Sequence, residues 1–237
     1  MAILRTDAVV PQFADRHGDY PDMFGALLTR SAAAVPVGLT VESHDVRVAD
    51  YPAPGDFHGY VITGSRNSVY DDEAWIAELA EFVREVLGAG RKVIGVCFGH
   101  QLLAHFFGGE TRAADNGWAV GVQESRVVSR EPWMTPEGSR VNLIASHKDQ
   151  VARLPDGARL IISGAFCPIG GFVMGDQVLT MQGHPEFQRE YSRDLMDMRR
   201  ELLGEATYRA GIESLDKETD EDRVGRWMIN FLLGCGQ

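Results

Sequence analysis

Residues 92–107 read Lys92-Val93-Ile94-Gly95-Val96-Cys97-Phe98-Gly99-His100-Gln101-Leu102-Leu103-Ala104-His105-Phe106-Phe107. A short apolar run is followed by a cysteine between glycines, and then by apolar residues at helical spacing. This is the layout of a nucleophile elbow with cysteine in the nucleophile's place. A tight strand-to-helix turn brings neighbouring backbone close to its central residue, and Gly95 and Gly99 leave room for that approach. At the start of a helix the thiol faces unpaired N–H groups that favour the charged thiolate, and the N–H of Phe98 is placed to donate to an oxyanion.

Working outward, β-rich runs alternate with helical segments along most of the chain, the pattern of an α/β protein with a mostly parallel central sheet flanked by helices. Strands are expected near residues 2–9, 39–46, 58–63, 92–96, 121–128, 140–145, 158–164, 170–174 and 177–182. A helix is expected from Pro21 to about Ala33. Another follows possible caps at Asp71 and Asp72, with Trp75, Ile76, Leu79, Phe82, Val83, Val86 and Leu87 at helical spacing. Between Gly109 and Gly183 strand and turn signals dominate, so an antiparallel β side layer is expected there. The final helix shows Thr219 and Asp222 in capping-box spacing, followed by Val224, Trp227, Met228, Phe231 and Leu232. With no linker, repeat or low-complexity tract, residues 1–237 are expected to form a single domain.

The 237 residues are 44% hydrophobic, with 23 Lys and Arg against 34 Asp and Glu, a net charge of −11. That charge disfavours nucleic acid and anionic membrane surfaces as partners. Three cysteines (Cys97, Cys167, Cys235) without a CxxC pair, an N-terminus without a signal pattern and the lack of a long apolar run point to the cytoplasm. His100 and His105 lie five apart and no HExxH occurs, so no metal site is expected and both are read as packing or surface residues.

A cysteine nucleophile needs a base, and the base needs a group that fixes its tautomer. His184 follows the apolar strand Val178-Leu179-Thr180, which puts it at the same sheet edge as Cys97. Pro185 biases His184 toward extended backbone, and Glu186 is then able to turn back toward the ring.

The elbow Gly95-Val96-Cys97-Phe98-Gly99-His100-Gln101 together with Gly183-His184-Pro185-Glu186 resembles the class I (triad) glutamine amidotransferase domain, a flavodoxin-like fold. The resemblance extends to Val61-Ile62-Thr63-Gly64-Ser65-Arg66-Asn67-Ser68, similar to the family's oxyanion loop, and to Ser146-His147-Lys148-Asp149-Gln150-Val151, similar to its Ser-His-x-Asp segment. The four motifs stand in family order between residues 61 and 186. Within the family the chain looks most like the amidotransferase half of GMP synthase and free-standing proteins built like it, including plant γ-glutamyl peptidases. The resemblance implies Cys97 as nucleophile, His184 as base and acid, Glu186 as orienting carboxylate, and no cofactor. It also implies Gln101, Ser146 and His147 on the substrate, with Phe98, Gly64 and Ser65 forming the oxyanion hole. One departure stands out: GMP synthase has two adjacent glycines and a proline where this chain has Gly64-Ser65-Arg66. A Ser65 N–H serves as well as a glycine's, provided its φ is negative.

Neither a GxxxxGK[ST] loop nor residues for a second domain are left over, so the chain by itself has no means of activating an acceptor with ATP. Three readings follow. One is a free-standing enzyme cleaving a γ-glutamyl amide or peptide, with a small-molecule γ-glutamyl substrate. Another is a glutaminase subunit feeding ammonia to a synthetase partner, and the third is a binding homologue that has lost the chemistry. The charged segments Asp15–Tyr20 and Arg112–Trp118 are expected to wall an acceptor-side pocket in the free-standing reading.

Overall fold

The computed structural model describes residues 1–33 and 38–235. Nine strands form one sheet in the order β2 (Glu42–Asp45), β1 (Ala2–Arg5), β3 (Gly59–Ile62), β4 (Lys92–Val96), β11 (Val178–Met181), β10 (Gly171–Met174), β9 (Arg159–Gly164), β6 (Ala119–Val127), β7 (Arg140–His147). The first five are mutually parallel, and from β10 onward each strand is antiparallel to its neighbour. The antiparallel strands expected in the middle of the chain therefore extend the sheet itself. A separate antiparallel ribbon pairs β5 (Glu110–Ala113) with β8 (Asp149–Arg153).

The parallel half is buried on both faces, and side-chain alternation assigns each face its own core. Ile3, Val61, Ile94 and Leu179 lie in one cross-strand row and pack under α2 (Tyr20–Ala32) and α8 (Glu221–Leu233). Ala2, Tyr60, Val93 and Val178 form the next row, on the opposite face, against α3 (Ala74–Gly88) and α4 (Phe98–His105). Fully buried Leu28 and Phe231 on one side, and Ile76 and Phe98 on the other, contribute about 1.5–3 kcal/mol each by leaving water. A third cluster covers the antiparallel half, where Val120, Val122 and Ile144 meet Tyr191, Leu195 and Met196 of α5 (Arg189–Met198). The short α6 (Arg200–Leu203) and α7 (Glu205–Ser214) complete that side.

Several expectations are corrected. The charged segment Asp15–Tyr20, expected as a loop before the first helix, is divided between the end of a helix α1 (Pro11–His17) and the start of α2, which Asp19 caps through a reciprocal capping box with Asp22. Helix α3 starts after Glu73 without a side-chain cap, because the Asp71 carboxylate is taken by the Ser68 N–H (2.9 Å) and Asn67 Nδ2 (3.1 Å). The Thr219–Asp222 capping box does not form. Asp220 occupies the cap position of α8, and its carboxylate accepts the Asn142 N–H at 2.7 Å, tying the helix start to β7.

His100 is fully buried on α4, with Nδ1 2.8 Å from Thr180 Oγ1 and Nε2 3.1 Å from the Ile169 carbonyl. Burial lowers its pKa to about 3, so the fold holds it neutral. The unfolded chain takes up this proton below about pH 6.5, which makes stability fall with pH from there toward the folded pKa, by about 1.4 kcal/mol per pH unit for one proton. Melting temperature is accordingly expected to drop by roughly 3 °C per pH unit from His100 alone between pH 6 and 4.5. His100→Gln should flatten that limb in a series of thermal melts, and parallel curves for the two proteins would show that His100 does not carry it.

Candidate active site

All four strands β1, β3, β4 and β11 run the same way, so the residues that follow them emerge together at one edge: Thr6, Thr63, Cys97 and Gln182. Ligand sites of α/β sheets lie at this carboxyl edge. A cleft of about 290 Å³ opens there, lined among others by Gly64, Cys97, Gln101, His184 and Arg199.

Cys97 follows β4 and caps α4 with φ 51° and ψ −98°, a left-handed backbone that a side-chain-bearing residue adopts only under constraint. Its N–H donates to the Met181 carbonyl at 2.9 Å and its carbonyl accepts from Gln101 at 3.0 Å. The flanking glycines are required by contact. A Cβ on Gly95 would stand 2.6 Å from the Gly99 backbone, and one on Gly99 would stand 2.7 Å from Ile62.

His184 leaves β11 and donates its backbone N–H to the Ile144 carbonyl at 2.8 Å, which seats it against the antiparallel half of the sheet. Its Nδ1 lies 2.7 Å from Glu186 Oε1, and its ring stacks on Phe187 at 3.9 Å. Both His184 and Glu186 are buried. Burial alone would lower the imidazole pKa, but the Glu186 charge and Cys97, facing the same ring, outweigh it and push it up to about 10. With Nδ1 engaged by the carboxylate, Nε2 is the nitrogen left for the thiol.

Of the other residues singled out by sequence, Gly64, Ser65, Gln101, Ser146 and His147 line the cleft, while the Phe98 side chain is buried in the core. His147 donates from Nδ1 to the Asp149 carbonyl (3.0 Å), and burial brings its pKa down to about 4, so it is neutral where His184 is cationic. Gln101 commits its Nε2 to the Asp149 carbonyl (2.8 Å) and Gln182 Oε1 (3.1 Å), which leaves its own Oε1 as the free acceptor among the described residues. Ser146 Oγ accepts from Arg199 at 3.0 Å. The Phe98 and Ser65 N–H groups have no acceptor among the described residues. Ser65 directs its hydroxyl away, to the Thr6 carbonyl at 3.1 Å.

Of the two charged segments expected at the mouth, each sends one residue there: Tyr20 and Trp118 line the cleft. Arg16 and His17 turn instead to Asp194, and Arg112 pairs with Asp115. Sequence reasoning missed Arg199, whose guanidinium stands 5.7 Å from the Trp118 ring without a carboxylate partner among the described residues. It also missed Phe187, whose position three residues after His184 was the available signal.

Gly64 lies directly against the imidazole, and a Cβ there would come within 2.8 Å of His184 Cε1, a ring already held by Phe187 and Glu186. Gly64→Ala should displace the ring and slow alkylation of Cys97 by iodoacetamide at neutral pH by about tenfold, since the sulfur loses the imidazole beside it. An unchanged alkylation rate in a folded variant would mean that the ring position is not set by this contact.

Residues 18–196 match the family model described as glutamine amidotransferase class-I. A glutamine amidotransferase-like protein of Schizosaccharomyces pombe is 30% identical over 98% of both chains, and γ-glutamyl peptidase 3 of Arabidopsis thaliana is 31% identical over 75% of each. A crystal structure of a glutamine amidotransferase from Thermotoga maritima superposes with a TM-score of 0.73 over 98% of this chain and 96% of that one, at 18% identity. Fold, motif order and sequence relationship agree, and the chain is an enzyme of the class I glutamine amidotransferase family.

Proposed function

We propose that the chain acts as a free-standing hydrolase of a γ-glutamyl amide larger than glutamine, through a γ-glutamyl thioester on Cys97. The observation that carries this reading is the buried Cys97–His184–Glu186 array in an open cleft, with His184 held cationic by its two partners.

His184 in its cationic form already holds the proton on Nε2, as the imidazolium of a thiolate–imidazolium pair, and the Cys97 thiolate attacks the γ-carbonyl carbon. The oxygen becomes an oxyanion held by the N–H groups of Phe98 and Ser65. The imidazolium returns the proton to the leaving nitrogen, the C–N bond breaks, and the amine departs from a thioester. Water then gives a proton to His184 as it attacks the thioester carbon; collapse breaks the C–S bond and releases glutamate. Glu186 fixes the tautomer and offsets the imidazolium charge throughout. Gln101 Oε1 is a suitable acceptor for the substrate ammonium. Ser146, neutral His147 and the cation Arg199 give the same wall capacity for a carboxylate.

Beyond the reacting atoms the cleft continues along Trp118, Leu195, Leu202 and Arg199, a mixed apolar and cationic wall suited to a leaving group bulkier than ammonia. That wall supports the free-standing reading over an ammonia-donor subunit. The kinship with γ-glutamyl peptidases of Arabidopsis thaliana agrees with it. Unpaired Cys97, Cys167 and Cys235 suit a reducing cytoplasm, and no helix among the described residues is long and apolar enough to cross a membrane.

Mass mapping after treatment with a glutamine-like chloroketone should locate the label on Cys97. Label confined to Cys167 or Cys235 would sink the nucleophile assignment. Glu186→Gln should lower turnover by on the order of 10²–10⁴ while Cys97 remains labelled, because the thiol keeps its helix N-terminus.

Steady-state hydrolysis of glutamine, glutathione and a panel of γ-glutamyl amines by the purified chain tests the substrate reading. The γ-glutamyl peptides are expected to be cleaved at higher kcat/KM than glutamine. Negligible turnover of every substrate until a synthetase chain is added would replace this reading with the ammonia-donor subunit.

A further inference from the structure

The loop after β3 is held by the two residues that follow β1. Thr6 donates its N–H to Thr63 Oγ1 at 3.0 Å, and the Gly64 carbonyl oxygen lies 2.9 Å from Thr6 Oγ1 and 3.3 Å from Thr63 Oγ1. Ser65 Oγ donates back to the Thr6 carbonyl at 3.1 Å. Asp7 Oδ2 accepts both the Arg66 N–H and Arg66 Nε, each at 2.9 Å, while Oδ1 takes the Ala8 N–H at 2.8 Å. Thr6 is wholly buried and Asp7 nearly so.

These contacts fix the peptide groups on either side of Ser65. The Gly64 carbonyl and the Ser65 N–H belong to one planar trans peptide and point in opposite directions. Hydroxyls hold the carbonyl on the β1 side, so the N–H is turned the other way. Cys97 and His184 lie beside this peptide: a Cβ on Gly64 would be 3.6 Å from Cys97 Cβ and 2.8 Å from His184 Cε1. The next peptide is fixed in turn by Asp7, which takes the Arg66 N–H out of competition for the same oxyanion.

We infer that Thr6 and Asp7 are positioning residues that aim the Ser65 N–H at the oxyanion, and that they supply by side-chain hydrogen bonds the loop rigidity a Gly-Gly-Pro sequence would otherwise provide. The inference rests on the thioester reading above. It explains why a buried carboxylate and threonine sit at the end of β1 although neither belongs to the Cys97–His184–Glu186 array.

Two alkylating reagents separate this role from general structural damage. A glutamine-like chloroketone reacts through a tetrahedral adduct whose oxygen needs the oxyanion donors, whereas iodoacetamide is displaced directly at its CH2 and does not. Thr6→Val removes the hydroxyl at constant shape and should cut the chloroketone rate by at least about tenfold, with iodoacetamide unchanged. Thr6→Ser should restore the ratio of the two rates to within about twofold, and in steady state the Thr6→Val loss should fall on kcat rather than KM. Asp7→Asn keeps only part of the acceptor set and should lower the same ratio by about three- to tenfold, a second readout if Thr6→Val does not fold.

A wild-type rate ratio in folded Thr6→Val, or in Asp7→Asn, overturns the positioning role while leaving the enzyme reading intact. Wild-type protein whose Cys97 reacts with iodoacetamide but neither reacts with the chloroketone nor hydrolyses any γ-glutamyl compound overturns the thioester reading, and this inference with it.

Discussion

Cys97 is held with φ at 51°, and the rest of the site is built around keeping it there. A side-chain-bearing residue in such a region costs about 1–3 kcal/mol and relaxes unless its surroundings prevent it. Here they do. The preceding residue is locked in β4, an interior strand of the parallel half, between β3 and β11. The following helix cannot retreat, because Gly95 lies on the Gly99 backbone and Gly99 on Ile62. Buried apolar residues on both faces of the sheet hold strand and helix together, so the packing energy of the core keeps the thiol aimed into the cleft.

The same edge sorts two histidines into opposite charge states. His147 and His184 are both buried in the cleft wall, and desolvation pushes both toward neutrality. His184 has a carboxylate 2.7 Å from its ring and a thiol beside it, which more than reverse that push. His147 has only a backbone carbonyl and stays neutral. A cationic and a neutral imidazole therefore share the cleft, which under the proposed mechanism suits the one to proton transfer and the other to hydrogen bonding.

Much of this was legible in the sequence because it is written in local pattern. Helices α2 and α3 follow from apolar spacing, and the buried strands of the parallel half from short apolar runs. The elbow glycines follow from the crowding any strand-to-helix turn creates. The misses have a common cause, since they depend on partners distant along the chain. Glu110–Ala113 and Asp149–Arg153 are short strands with three and two exposed residues, and they become strands through their mutual pairing. Thr219 has the spacing of a cap, yet Asp220 is drawn into the cap position by Asn142 of β7. Arg199 sits in a segment that also contains Arg189, Arg193 and Arg200, and nothing local distinguishes the one that meets Trp118. Thr6 and Asp7 look like the polar end of a first strand until Gly64 and Arg66 are folded against them.

Under the proposed mechanism, the change from parallel to antiparallel pairing at β11 and β10 divides the labour of the site. Cys97 and its supports come from the parallel strands, and His184 leaves the last of them. Trp118, Ser146 and Arg199 come from the antiparallel strands and the helices laid on them, which meet the catalytic half along one border. Loops joining antiparallel strands can lengthen, shorten or exchange side chains without altering the register of β3, β4 and β11. On the proposed reading, a lineage built on this plan can retool the wall of Trp118, Ser146 and Arg199 while inheriting its reaction unchanged, because that wall and the reacting residues are folded into different halves of one sheet.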